Sequence, residues 1–499
     1  MVPKKVCLPT GNLDSFVQEK IICYCGIPSG GIPMLLKRRM FLLASVLIAT
    51  LTGVAFRYQP AIEKPQLVGV RGLGALGDGI TDDTTAIQKA IDAGTGSVVF
   101  PSGVYRITRP LLVNLERTGP IALTGDGTAT LKMSGQGPAI QIAGTHGGTA
   151  LPATVKPEVW NRQRMPMISG LDIAGDHPEA DGIRASGTLM LTIHHVGIRH
   201  CRHGIHLIDR NRNLTVSDSH IYSNKGIGIY YDNVNLHQSN IIGCHISYCE
   251  GGGIVCRGGE VRNVQIGTCD IEANMAKDGA STANVLIDCQ EGSTAEVAIS
   301  GCTIQHSNVK GSANIRILGM GKGIRKDTIG SWGHVTIQGN VLSDVEDNIH
   351  LKGCRGVTIT GNTLWMGYKS NLNVEGCEHI VLGANMMERN PAYDYGTSKE
   401  TINAVVFKSC RDCSIAGIHL HNVKSVEAGM VVDDCQRCNI TACTVLDCSP
   451  IGILMRNCTK CRVSDCLILS DDKHDGMSLP LKVIGGDLNQ VSHNHTGIK

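Results

Sequence analysis

One pattern recurs through most of this chain and restricts what it can fold into: an apolar residue, any residue, usually Gly, Asp or Ala, then Cys or Asn, any residue and an apolar residue, as at Ile299 to Ile304. The Cys-or-Asn position runs Leu171, Val196, Ser219, Cys244, Cys269, Cys302, Asn340, Asn362, Asn385, Ile418, Cys443 and Cys466. Most steps are 22 to 25 residues, and the steps of 33 or 38 equal one ordinary step plus an insertion of about ten, as a loop bulging from one coil would give. Within each step lie period-2 apolar sets, such as Val335 and Ile337 or Ile349 and Leu351, so the unit reads as three short strands and three turns. Strands this short cannot bury a face alone, but coils stacked at ~4.8 Å pile like residues into inward ladders. The expectation is an all-β solenoid, a parallel β-helix of about 12 coils extending roughly 55 Å, with Asn340, Asn362 and Asn385 bonding coil to coil. Sixty glycines and 4% aromatic residues suit tight turns and short strands better than a globular core.

Ahead of the repeat, Gly77 to Thr84 lead into Ala86, Ile87, Ala90 and Ile91, which predicts an amphipathic helix ending at Gly94, with Thr81 or Asp82 as its N-cap. Val98 to Phe100 and then Pro101, Ser102, Gly103, Val104 and Tyr105 complete a block that resembles the N-terminal module of the pectate-lyase superfamily, which includes rhamnogalacturonases, uronan epimerases and phage tailspikes. The resemblance is detailed over residues 67 to 108 and rests on repeat architecture thereafter. It implies a right-handed parallel β-helix whose capping α-helix plugs the open end, so Asp82 and Asp83 are expected to be cap residues and not a catalytic pair. The single β-helix domain is expected over 67–485, with 486–499 as a tail.

Lys37, Arg38 and Arg39 precede a charge-free stretch from Met40 to Phe56, and Gly53, Val54 and Ala55 offer a small-x-small cleavage site. The paired arginines resemble the twin-arginine export signal of bacteria. Residues 1–33 then read as a non-native extension before a start at Met34, 34–56 as the signal, and 57–66 as a linker. The expected location is periplasmic or extracellular, with membrane association only where the segment stays uncleaved as an anchor. A net charge of +2 without a basic run argues against nucleic acid as a partner. The oligomeric state is left open, a trimer among the options.

Three Cys-x-x-Cys pairs, Cys410 and Cys413, Cys435 and Cys438, and Cys458 and Cys461, have zinc-site spacing in isolation. They recur with the coil period, and the same columns continue upstream as Cys354 with Val357 and Cys377 with Ile380. A column that accepts Val and Ile is packing, so buried thiols are favoured over metal, with disulfides left open.

In active relatives, substrate lies along the first strand of each coil and the turn before it. With Ile183, Ile205, Ile229, Ile254, Ile315 and Ile349 pointing inward, the outward residues of that strip are Arg184, His206, Tyr230, Val255, Arg316 and His350. Asp181 and His203 sit just ahead, and Asp232, Arg257, Asp288 and Lys352 follow two residues further on, where they also fit a self-compensating, solvated ladder. The resemblance directs attention to acidic polysaccharides. The expected catalytic residues are His203, His206, Asp181 and Tyr230, the expected uronate-binding residues Arg184, Arg257 and Arg316. Calcium at Asp181 or Asp232, replacing or assisting an arginine, is the one cofactor the strip suggests. The hydrolase motifs of polygalacturonases match only at Asp181, Gly182 and Ile183, so proton abstraction by a lyase or epimerase is favoured over hydrolysis. A non-catalytic glycan-binding surface protein and a diverged polygalacturonase-like hydrolase are the alternatives, and the export signal argues against a tailspike.

Overall fold

The computed structural model describes residues 68–94, 96–319, 333–390, 392–393, 395–424, 426–471 and 476–498. The expected extension, export signal and linker lie outside the described residues. Among those described, no helix is long and apolar enough to cross a membrane.

One coil illustrates the rest. Gly333–Gln338, Val341–Ser343 and Val345–Lys352 are its three strands, and each pairs in parallel with its counterpart in the next coil, Arg355–Thr360, Thr363–Leu364 and Gly367–Glu375. The inward set Ile183, Ile205, Ile229, Ile254, Val285, Ile315, Ile349 and Leu372 is fully buried, each side chain contributing ~1.5–3 kcal/mol from leaving water. The fold is therefore the parallel β-helix that the repeat predicts, right-handed as the resemblance implies.

The chain of register partners His245, Asp270, Thr303, Val341, Thr363, Met386, His419, Thr444 and Leu467 puts the residues before them, Cys244 through Cys466, in one column. In it the Asn340 backbone N–H and side-chain amide both donate to Asn362 Oδ1, at 2.9 and 3.0 Å, and Asn362 repeats this onto Asn385 at 2.9 Å. Cysteine takes the same post less fully: Cys269 N donates to Cys302 Sγ at 3.5 Å. Asn362→Ala should therefore cost about 1–3 kcal/mol, because it orphans the buried N–H of Asn340. Asn362→Cys should cost less, since Sγ can accept that N–H; equal losses in urea midpoint for the two variants would contradict the ladder as an energetic unit.

A second amide ladder runs beside the first, beyond what the repeat predicts. Asn274, Asn284, Asn314 and Asn348 each donate from Nδ2 to the next Oδ1 at 2.8–2.9 Å, the last to Asn371. In coils nearer the N-terminus the equivalent turn carries Gly182, Gly204, Gly228 and Gly253, where coils approach so closely that a Cβ on Gly204 would lie 2.5 Å from the Gly228 carbonyl oxygen. The turn before the first strand thus changes chemistry along the axis.

The capping helix spans Thr84–Asp92 and buries Ile87, Ala90 and Ile91. Its N-cap is Asp83, and not Thr81 or Asp82. The Asp83 carboxylate turns back to accept the backbone N–H groups of Leu76 and Gly77, at 2.7 and 3.0 Å. Asp82 accepts from Thr84 N and Thr108 Oγ1, so both aspartates hold structure together. The 18 described cysteines are all buried and free of disulfides, and the described residues contain no group of three or more His, Cys, Asp or Glu that could hold a metal ion.

Candidate functional site

Inward burial of Ile183, Ile205 and Ile229 sets the phase of three adjacent strands, which forces Arg184, His206 and Tyr230 outward in register with one another. Two residues on, Asp232 pairs with Arg257 and Arg257 with Asp288.

Asp181 anchors this patch. It is 0% exposed, and its oxygens accept from Arg184 Nη2 at 2.9 Å, Arg202 Nε at 2.8 Å and Arg202 Nη2 at 2.7 Å, with the His203 backbone N–H at 3.3 Å. Burial alone would raise its carboxyl; the facing His206 and Arg202 overcome this and hold it well below the usual carboxylate range. Arg202 also reaches Glu179 at 2.9 Å.

Around the anchor, the rings of His203, His206 and Tyr230 lie mutually at 5.3 Å, with His206 stacked on Tyr230 at an interplanar angle of 7°. His206 Nε2 is 2.9 Å from Asp232 Oδ2, and its Nδ1 is 3.8 Å from Asp181 Oδ2. An ionised carboxylate can only accept, so the 2.9 Å contact puts a proton on Nε2, and a protonated His206 would face a carboxylate with each N–H. His203 Nδ1 instead accepts the Ile227 backbone N–H at 3.1 Å. Its neutral ring then carries the proton on Nε2 and is a donor, not a base. Burial, followed by the Asp232 carboxylate, raises the Tyr230 phenol, with Arg257 opposing.

Burial pushes His203 from 6.5 down to about 4. The unfolded chain binds this proton more readily, so the stability due to a neutral His203 is complete above about pH 6.5 and is lost as pH falls toward 4. The urea midpoint should drop between about pH 7 and about pH 5, and drop less in His203→Gln; parallel pH profiles would count against this assignment.

Other expected site residues are not brought together. Arg316 is only 7% exposed; its Nη1 donates to Ser281 Oγ, Thr282 O and Gly311 O at 2.7–2.9 Å and its Nε to His350 Nδ1 at 3.1 Å. It fastens the insertions between coils, so it is removed from the uronate-binding set. Val255 and Leu286, outward on the same strip, are buried with Ala283 and Ala313, and Tyr230 packs against this cluster. The strip is therefore covered from Val255 to Arg316, not open along its length. The calcium expectation is corrected at Asp181, where both oxygens are occupied by guanidinium donors within a buried pocket, which does not fit a divalent cation. For the same reason Asp181 positions other groups and cannot touch a substrate. Further along, Lys352 with Glu375 and Asp433 with Arg456 form ion pairs, as a solvated ladder would.

Arg202 and Glu179 carry no sequence signal that marks them for the site, and Asp232 is expected from sequence as a metal ligand or as part of a solvated charge ladder, not as a base. Arg202 stands directly before His203 in the chain, but nothing local shows that it folds back one coil onto Asp181.

Fold and site together define a class: this is a right-handed parallel β-helix protein with a compact titratable patch on one strand face. Within that class its N-terminal module, residues 67–149, matches the family described as Rhamnogalacturonase A/epimerase, pectate lyase-like, and residues 163–304 match the right handed beta helix region. The chain is 56% identical to mannuronan C5-epimerase AlgE5 of Azotobacter vinelandii over 43 residues, 8% of this chain and 4% of that protein. It is 58% identical to alginate lyase 7 of the same organism over 43 residues, 8% and 5% of the two chains. These matches span only a small part of the curated relatives. The solved structure of tailspike protein 3 from Bacteriophage CBA120 aligns with a TM-score of 0.53 at 15% identity, covering 86% of this chain and 61% of that one, which shows the fold alone.

Proposed function

We propose that this chain modifies an acidic polysaccharide by moving a proton at the carbon beside a uronate carboxylate, as a lyase or an epimerase. The observation that carries the reading is the contact group of His206, Asp232 and Tyr230, flanked by Arg184 and Arg257. Arg257 and Arg184, with the Nε2–H of His203, meet the uronate carboxylate and the charge that develops on it. Asp232, the more exposed carboxylate beside His206, takes the proton from carbon, and His206 stabilises the result. Tyr230 holds its proton more tightly than a free phenol and donates it, to the departing glycosidic oxygen in a lyase or to the opposite face of the carbon in an epimerase. The short matches to mannuronan epimerases and an alginate lyase are in keeping with uronan chemistry. Export by the Arg38 and Arg39 signal belongs to this proposal and is supported by sequence alone.

Hydrolysis fits less well. Inverting hydrolases need two substrate-facing carboxylates ~6.5–9.5 Å apart; the burial of Asp181 removes it as a partner for Asp232, and Asp288, two coils on in the same column, faces the Arg257 guanidinium. The purified protein should be incubated with pectate, alginate and glycosaminoglycans, following unsaturated uronate absorbance, reducing ends and uronate stereochemistry. Unsaturated product identifies a lyase, and altered stereochemistry without cleavage an epimerase. Reducing ends without unsaturation, or binding without any turnover, would overturn the proposal in favour of a hydrolase or a glycan-binding surface protein.

A further inference from the structure

We infer that this chain carries a second glycan-binding site, for a neutral saccharide ring, on a different sheet from the titratable patch. It lies about six coils along the axis, counted through the register partners His206, Tyr230, Val255, Leu286, Arg316, His350 and Asn373, or roughly 29 Å. Here the strands Thr363–Leu364 and Met386–Glu388 and the insertion after them enclose a cleft of about 260 Å³.

The cleft is aromatic in a chain that is otherwise poor in aromatics. Trp365 meets Tyr393 edge to face at 5.1 Å, and Tyr393 stacks toward Tyr395 at 6.0 Å. Both tyrosines are about half exposed, at 50% and 48%, so their faces are not spent on the core. The insertion that presents them is held in place. Arg389 Nη1 donates to the Thr401 carbonyl at 3.1 Å and its Nη2 to that of Lys399. Asn403 Oδ1 accepts the Gly367 N–H at 2.7 Å, and Tyr368 bonds to Thr397. Such an insertion, confined to one coil and ordered by its own hydrogen bonds, is where a repeat protein places a binding surface.

Aromatic faces pack against the C–H face of a pyranose, while Thr363, Glu388 and Asn390 at the same cleft supply hydrogen bonds to its hydroxyls. Charge selects the kind of sugar. Arg389, the one cation lining the cleft among the described residues, is committed to two carbonyls, and Glu388 adds a carboxylate. A polyanion is therefore disfavoured and an uncharged ring fits. The inference stands on this cleft and does not need the proton-transfer reading.

Affinity electrophoresis of the full chain in native gels cast with dextran, β-glucan, xylan or galactomannan, and in parallel with pectate or alginate, tests it. At least one neutral glycan should retard the protein, and Tyr393→Ala and Tyr395→Ala should each weaken that affinity at least about fivefold. Both side chains are half exposed, so their loss leaves the core intact, which circular dichroism checks. His206→Ala should be retarded by the neutral glycan like the parent, whatever becomes of uronan turnover. Absence of retardation in every neutral gel, retardation confined to the uronan gels, or parental mobility of both tyrosine variants would overturn the inference.

Discussion

Replacing Asp181 with alanine is expected to destabilise the folded chain by about 3 kcal/mol, the lower end of what breaking a buried ion pair costs. The carboxylate is inaccessible and accepts from two arginines. Removing it leaves Arg184 without its carboxylate and Arg202 with Glu179 alone, and their partial exposure, 25% and 34%, lets water recover some of the loss. Asp181→Asn should do no better, because its amide presents a donor to donors. The pH dependence has a definite sign. Because the folded carboxyl is held below its ordinary range, its stabilisation is present above the unfolded value of ~3.9 and fades only as pH falls through the folded value. The difference in urea midpoint between parent and Asp181→Ala should thus be constant from neutrality to about pH 4 and shrink only below it. A variant that is as stable as the parent at about pH 7 would remove Asp181 as the anchor of the patch.

Tyr230→Phe and Asp232→Asn should each lower kcat on the uronan that is turned over by about 10²–10⁴-fold, the usual worth of a positioned proton-transfer group. Tyr230→Phe is the sharper of the two. It keeps the ring that stacks on His206 and packs beside Ile227 and Val255 and deletes only the hydroxyl, so KM and the unfolding midpoint should be close to those of the parent. Arg257→Ala, by contrast, should raise KM, since it removes charge that binds the uronate before any proton moves. Full turnover in Tyr230→Phe would rule the phenol out as the proton donor and leave the role to His206.

What can be read from the residues follows from how a β-helix is built. Constant coil length turns a sequence interval into a spatial neighbour, so the column from Cys244 to Cys466 and the outward triad Arg184, His206 and Tyr230 are legible in the spacing alone. The Asn340, Asn362 and Asn385 ladder is legible for the same reason. The second ladder is not, because the turn that carries Asn284, Asn314, Asn348 and Asn371 carries glycine in other coils, which hides the column from a search for one repeated residue.

The helix cap shows a different limit. Thr81, Asp82 and Asp83 are all good caps by residue type; Asp83 takes the N-cap position, but its carboxylate makes no cap bond and holds the Leu76–Gly77 turn, while Asp82 accepts the Thr84 N–H.

By itself the sequence determined the coil, its parallel stacking and which side chains face outward on each strand, because those depend on spacing and on alternation in and out of the core. Only the tertiary structure decided which of those outward residues reach solvent. Arg316 and Val255 occupy the same column as Tyr230, yet contacts from neighbouring coils bury them, as they do His206, while Arg202 folds back onto Asp181 and turns it from a candidate catalyst into an anchor. Exposure and ion pairing are set by what neighbouring loops cover, and that is a property of contacts between coils, with no signature in the spacing within one.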